Sequence, residues 1–292
     1  MNNYIYMIEY VVVMALKKIV DGIYVSDDGS NGGNHGAIVL DDEVVMIDSG
    51  MIHPKSAETR KFIESETKLP IRKLVFTHSH SDHVFGAQAF EPVQMIASEP
   101  MMKRCKENLN SDWEFTTLLK RYSEIKDERP ELWNAVQTLS IRLPDSVFQD
   151  QIKIGTHAEL IVRNLGGHTS GSSIVISSQY NTIFVGDLIF NGQFPYGGDP
   201  TCDPDRWILA LEEIHALEHD IIVPGHGPTC GQKELAGYIE DLSELRNNVK
   251  DALKTGLSVD SFIAREMIPE NITSGFERFG EVTLNHWFKF YG

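Results

Sequence analysis

At 292 residues, with 41% hydrophobic and 23% charged side chains, the chain reads as a soluble globular protein able to bury most of its apolar surface. Lys and Arg number 26 against 42 Asp and Glu, and the formal charge of −16 argues against nucleic acid and anionic membranes as partners, leaving a small-molecule substrate, with a homodimer open. Cys105, Cys202 and Cys230 are scattered and odd in number, which argues against a disulfide scaffold and fits a reducing cytoplasm.

Tyr4 to Leu16 is nearly all apolar apart from Glu9, but it is too short to span a bilayer and lacks the flanks of a secretory signal. An extra edge strand, a disordered tail or an upstream start codon, with Met14 the true first residue, remain, the last two preferred over any targeting role, so residues 1–17 are set apart from a single domain spanning 18–292. Ile19 to Ser26 alternates as a first strand, and a Gly- and Asn-rich turn follows to Asn34. Ala37 to Leu40 and Val44 to Ile47 flank Asp41-Asp42 as a hairpin. Pro54 to Thr67 is spaced for a surface helix that stops before Pro70, and Leu74 to Phe76 is the next strand, completing a crossover unit.

Asp82 to Phe90 is expected to be helical, Val93 to Ala97 a strand, and Glu99 to Leu139 a polar helical insertion whose Trp113, Phe115, Tyr122 and Trp133 read first as packing residues. A second strand-rich half follows, with strands at Gln151 to Ile154 and Glu159 to Asn164. A hairpin of Ser172 to Ser177 with Thr182 to Val185 comes next. Asp203 to Leu217 is an amphipathic helix capped by Asp203 with Pro204 in its first turn, and Ile221 to Val223 is a short buried strand. Gln232 to Lys254 and Ser258 to Met267 are helical, and the pattern does not place the Phe- and Trp-rich tail to Gly292.

The chemistry concentrates at His78-Ser79-His80-Ser81-Asp82-His83, where an extended run gives way to a helix. Side chains two apart on an extended chain point the same way, so His78 and His80 can grip one cation, while Asp82 and His83 face elsewhere and suit a second. Gly167-His168-Thr169, Gly186-Asp187-Leu188 and Pro224-Gly225-His226-Gly227 follow in that order. This succession resembles the metallo-β-lactamase-fold hydrolases from about residue 18 to about 230. The resemblance implies an α/β, four-layer αββα sandwich, here with a helical insertion at about 99–140 and a helical C-terminal extension at about 231–292. It implies that His78, His80 and His168 hold one metal, that Asp82, His83 and His226 hold another, and that Asp187 bridges them.

Two divalent metal ions, zinc by preference with iron or manganese open, would leave about two positive charges against the carboxylates of Asp82 and Asp187 and supply a bridging hydroxide at neutral pH. Asp48, Thr77 and Thr169 are candidates to fix ring orientation, with Asp48 as easily only a strand-end cap. His35 lies in a Gly-rich loop that the resemblance brings toward the site, which makes it a candidate pocket residue, although it is expected mainly to face solvent, and Phe194-Pro195-Tyr196 after Asp187 is expected to wall the pocket. Asp187 argues against a true zinc β-lactamase, and Val84-Phe85-Gly86 departs from the Gly-Gly usual in glyoxalase II. The expected activity is hydrolysis of a small ester, thioester or lactone. An iron-dependent persulfide dioxygenase, a phosphodiesterase or ribonuclease, and a non-catalytic metabolite sensor stay open.

Overall fold

The computed structural model describes residues 16–156 and 160–292. A first sheet contains β1 (Lys17–Val20), β2 (Ile23–Ser26), β3 (His35–Val39), β4 (Val44–Ile47), β5 (Ile71–Val75), β6 (Gln94–Ser98) and β7 (Ser146–Phe148), side by side in that order. The first four strands meander antiparallel, and β4 to β7 run parallel. Parallel neighbours require crossovers. These are α1 (His53–Thr67), then α2 (Ser81–Val84) continued as a 3-10 turn over Phe85–Phe90, then α3 (Glu99–Leu109), α4 (Phe115–Ser123) and α5 (Pro130–Gln137).

The second sheet contains β8 (Gln151–Ile154), β9 (Leu160–Asn164), β10 (Ser173–Ser177), β11 (Thr182–Phe190) and β12 (Ile221–His226), in the order β12-β11-β10-β9-β8. Its only parallel pair among the described residues, β11 with β12, is joined by α6 (Pro204–His215). Helix α6 starts where expected: the Asp203 carboxylate accepts the Arg206 amide at 2.9 Å, and Pro204 occupies the first turn. Helices α7 (Gln232–Lys254), α8 (Val259–Ala264) and α9 (Phe276–Tyr291) complete the chain.

Period-2 alternation of apolar residues on both strand faces dictates the layers. Val45, Ile47 and Val75 point inward and share one core with Val162, Val175 and Phe184 of the second sheet. Their neighbours Val44, Met46 and Leu74 point outward under the helices of the first half. Ile174, Ile176, Ile183 and Val185 meet Trp207, Leu242 and Trp287 on the outer face of the second sheet. Each such aliphatic side chain contributes about 1.5–3 kcal/mol by leaving water. The result is helix, sheet, sheet, helix, the α/β four-layer arrangement expected.

Several boundaries differ from expectation. Ile19 to Ser26 is two strands, because Gly22 at φ +88° reverses the chain after Asp21. The predicted helix over Asp82 to Phe90 holds for one turn and then tightens to 3-10. Strand β7, three residues among polar neighbours, was invisible to pattern. The strand expected over Thr182 to Val185 runs on to Phe190, so Asp187 lies within β11. The unplaced tail is α9, whose Leu284 and Trp287 are fully buried. The apolar start at Tyr4 to Val13 and His157 lie outside the described residues. Among the described residues, no helix is long and apolar enough to cross a membrane.

Candidate metal centre

The seven expected ligands converge on one site fed by both sheets. Strand β5 delivers His78 and His80, and the first turn of α2 delivers Asp82 and His83. The β9 to β10 loop supplies His168, the middle of β11 supplies Asp187, and the last residue of β12 is His226. Glycines permit the close approach. A Cβ on Gly225 would strike the Asp187 carboxylate and backbone, and Gly186, at φ +52°, packs against the Thr77 hydroxyl. The Asn34 side chain donates to the Pro224 and Gly227 carbonyls at 2.9 and 2.7 Å, pinning the glycine-rich loop to the turn that carries His226.

Asp187 faces two groups with its two oxygens. Its Oδ2 lies 3.3 Å from His78 Nε2, 3.5 Å from His168 Nε2 and 3.9 Å from His80 Nδ1. Its Oδ1 lies 3.0 Å from His83 Nε2 and 3.4 Å from His226 Nε2, and Asp82 Oδ2 is 3.2 Å from that same His226 nitrogen. Donor atoms within 4.8 Å of one another thus form two sets, His78-His80-His168-Asp187 and Asp82-His83-His226. Asp48, His78 and His83 approach equally closely. Both Asp48 oxygens are already committed, which makes this residue a support and not a further ligand.

The far side of the rings is tied down. Asp48 Oδ1 accepts the Thr77 amide at 2.8 Å, and Oδ2 accepts the Thr77 hydroxyl at 2.7 Å and His83 Nδ1 at 2.9 Å. His78 Nδ1 donates in turn to the Thr77 hydroxyl oxygen at 3.0 Å. With their Nδ1 protons so placed, His78 and His83 aim Nε2 lone pairs inward. His80 is held the other way round, Nε2 lying 3.4 Å from Asp199 Oδ2, which frees Nδ1. Asp48 itself sits at φ +56°, a left-handed conformation that Asp tolerates better than most residues. The Asp48 and Thr77 positions are as anticipated. Thr169 instead closes its own turn, its amide donating to Ser172 Oγ at 2.9 Å.

Burial and charge oppose each other throughout this cluster. Burial lowers the affinity of His78 and, more strongly, His168 for protons. Burial would lower His80 and His226 too, but carboxylate neighbours, Asp187 and Asp199 for the first and Asp187 and Asp82 for the second, raise both to about 9. Asp187 is fully buried, which favours its neutral form, yet His226, His83 and His78 hold it well below the ordinary carboxylate range.

The residues fit a divalent cation. His83 Nε2 and Asp187 Oδ1 are buried and neither has a hydrogen-bond partner, although they stand 3.0 Å apart. Atoms so placed and so oriented suit a shared cation better than each other.

His35, expected to face solvent, is buried at the start of β3, and burial lowers its pKa to about 4. Its Nδ1 faces the Gly33 carbonyl at 3.4 Å, and it belongs to neither donor set. Tyr196 does flank the site, its ring edge-on to His80 at 5.3 Å between centroids, and burial pushes its hydroxyl up to about 12. Phe194 is fully buried in the second-sheet core and walls nothing. Asp199 escaped sequence reasoning because Asp-Pro-Thr reads as an ordinary turn. In the fold it is buried, accepts from Thr201, and connects His80 to Arg104 of α3, whose Nε lies 3.3 Å away. A cleft of about 900 Å³ opens above the cluster, with Trp113 and Tyr122 of the insertion, Tyr196, and Phe279 of α9 among its walls.

Four layers with histidines and carboxylates gathered at one edge define a protein built around a divalent metal site. Residues 29–226 match the family described as the metallo-beta-lactamase superfamily, and the chain belongs to that superfamily, whose members are mostly metal-dependent hydrolases. Divalent metal binding goes with this family, and the His and Asp cluster supplies the donors. A metallo-beta-lactamase from Pontibacter korlensis superposes with a TM-score of 0.61 at 22% identity, covering 78% of this chain and 98% of that one. The FIM-1 metallo-beta-lactamase from Pseudomonas aeruginosa, solved in a mono-zinc form, gives 0.58 at 20% identity, covering 78% and 94%. At such identities these likenesses show the fold alone.

Among curated relatives, a linear primary-alkylsulfatase of Pseudomonas sp. (strain ATCC 19151) is 20% identical over 258 residues, covering 78% of this chain and 49% of that protein. The 2,4-dinitroanisole O-demethylase subunit alpha of Nocardioides sp. (strain JS1661) is 23% identical over 229 residues, covering 77% and 62%. The chain therefore spans less than two thirds of the length of either.

Proposed function

We propose that the protein is a dinuclear hydrolase of small esters, thioesters or lactones. The observation that carries this reading is the orientation of Asp187, each of whose oxygens faces a different donor set. His78, His80 and His168 would hold the first ion, Asp82, His83 and His226 the second, and Asp187 both. Zinc suits these nitrogen and oxygen donors. Bound there, the pair would provide hydroxide at neutral pH and polarise the substrate carbonyl.

The chain's own residues do the rest. Asp48 and Thr77 keep His83 and His78 in the tautomer that presents Nε2, and Asp199 does the same for Nδ1 of His80. Tyr196, kept protonated at neutral pH, can donate a hydrogen bond to substrate oxygen beside the first donor set. Trp113, Tyr122 and Phe279 give the apolar portion of a substrate surfaces to pack on and reduce water at the reacting bond. A net charge of −16 argues against RNA as the substrate.

A second reading, hydrolysis of a sulfate ester, is favoured by the name of the alkylsulfatase relative. The deciding experiment compares kcat/KM for a lactone, an aryl ester, a thioester, an alkyl sulfate, a phosphodiester and precursor tRNA under one metal condition. The acyl substrates are expected to lead. A higher value for the alkyl sulfate selects the second reading, and a higher value for the phosphodiester or RNA contradicts both.

A further inference from the structure

Four arginines line the cleft, and they are not equivalent. Arg104 is engaged by Asp199 and Glu107, and Arg121 by Asp112 at 3.0 Å. Arg129, the residue before α5, and Arg278, in the first turn of α9, have no carboxylate within 4.0 Å among the described residues. Both are exposed, so neither is held by packing inside the fold. Arg278 lies over the Phe279 ring, 4.5 Å from its centroid. Stacking occupies the face of a guanidinium and leaves its edge N–H groups free for an anion.

The acidic residues of the cleft are mostly spent. Asp82 and Asp187 belong to the donor sets, Asp27 is paired with Lys17 at 2.7 Å and takes Thr229, Asp28 accepts the Ser30 amide, and Asp112 and Asp199 hold Arg121 and Arg104. Of the carboxylates, Glu124 alone lacks a partner among the described residues. Asp28, bonded only to a neutral amide, also keeps its charge, so two uncommitted guanidinium groups in the walls offset Glu124 and Asp28, and a cation pair held by the donor sets would make the cleft positive although the chain as a whole is strongly acidic.

Resting on the reading above, we infer that the preferred substrate carries an anionic group at the end remote from its scissile bond, and that Arg129 of the helical insertion and Arg278 of the C-terminal extension receive it. The apolar middle of such a substrate crosses Tyr122, Tyr196 and Phe279, and the reacting carbonyl reaches the cation pair. Both additions to the four-layer sandwich then serve specificity, each contributing one arm.

The test pairs 4-nitrophenyl butanoate with the mono-4-nitrophenyl ester of glutaric acid, on the metal-loaded wild type, on Arg129→Gln/Arg278→Gln, and on Arg72→Gln as a distant surface control. Wild type and control should favour the charged ester by about tenfold in kcat/KM, less at high salt, and the double variant should lose that preference. Binding of the corresponding anilides, followed by calorimetry, reads the arginine pair without ester turnover. Equal binding of the charged and neutral anilides by wild type, or a charged preference that survives in the double variant, overturns the inference. A preference seen in anilide binding without turnover of either ester leaves the inference standing and contradicts the hydrolase reading instead. Sulfonate and phosphonate analogues of the same length distinguish a carboxylate from a tetrahedral anion as the recognised group.

Discussion

Asp48→Asn isolates the support beneath the second donor set. The carboxylate accepts three buried donors, the Thr77 amide, the Thr77 hydroxyl and His83 Nδ1, at 2.7–2.9 Å. Asparagine tolerates the φ of +56° at this position, but its amide has one acceptor oxygen where the carboxylate has two. If that oxygen serves Thr77, the NH2 group confronts the His83 N–H. Leaving one buried donor unpaired costs about 1–3 kcal/mol. His83 can escape only by moving its proton to Nε2, which removes the lone pair needed for a cation. Loss of such a support lowers metal affinity by about 10–100-fold, or roughly 1.4–2.8 kcal/mol, in agreement with the hydrogen-bond figure. Cobalt-substituted protein titrated against a competing chelator resolves two successive affinities. The weaker is expected to fall by that factor, the stronger less, because Thr77 still reaches His78. Two unchanged affinities in Asp48→Asn would refute the orientation of His83 by Asp48.

Removing the shared carboxylate by Asp187→Ala is expected to lower kcat by at least about 100-fold while one metal per chain is largely retained, read by elemental analysis beside the esterase assay. Wild-type turnover with both metals kept would contradict a bridging role. In Gly225→Ala the new methyl meets the Asp187 backbone as well as its carboxylate, and backbone does not yield as a flexible side chain does. A loss of about 1–3 kcal/mol in chemical unfolding and weakened metal binding are expected, and a variant of unaltered stability would contradict the close approach. Metal binding at pH 7 should release about three protons, since carboxylate neighbours raise His80 and His226 to about 9 and His83 well above the ordinary imidazole range, and each must surrender a proton to become a ligand. Affinity then falls as pH drops. Calorimetry in buffers of different ionisation enthalpy measures the count, and no net release would be the contrary result.

The parts of the centre legible in sequence are those whose chemistry is local. His78, His80, Asp82 and His83 lie within six residues at the end of one strand, and the turns carrying His168 and His226 announce themselves through glycine. The alternating strands that form the facing sheets were readable for the same reason, since period 2 is a property of neighbours in the chain. What tertiary packing decides was not readable. Asp199 supports His80 only because β11 and α6 bring their connecting loop beneath the ring, and Phe194 leaves the cleft because α9 offers it a core position beside Phe276. His35 is buried because the glycine-rich loop is fastened over the β12 turn by Asn34, a bond between residues 190 positions apart. Arg129 and Arg278 share one cleft only after the insertion and the C-terminal helices have folded onto opposite halves of the sandwich.

The hydrolase proposed above would hold two metal ions in one chain, shared through Asp187. The most direct test is elemental analysis, with protein concentration by amino-acid analysis, of material purified without added metal or chelator. Two equivalents of divalent metal per chain, zinc foremost, is the predicted result. A single iron per chain, with oxygen consumed in the presence of a persulfide, would contradict the dinuclear hydrolase and make the protein an oxidoreductase.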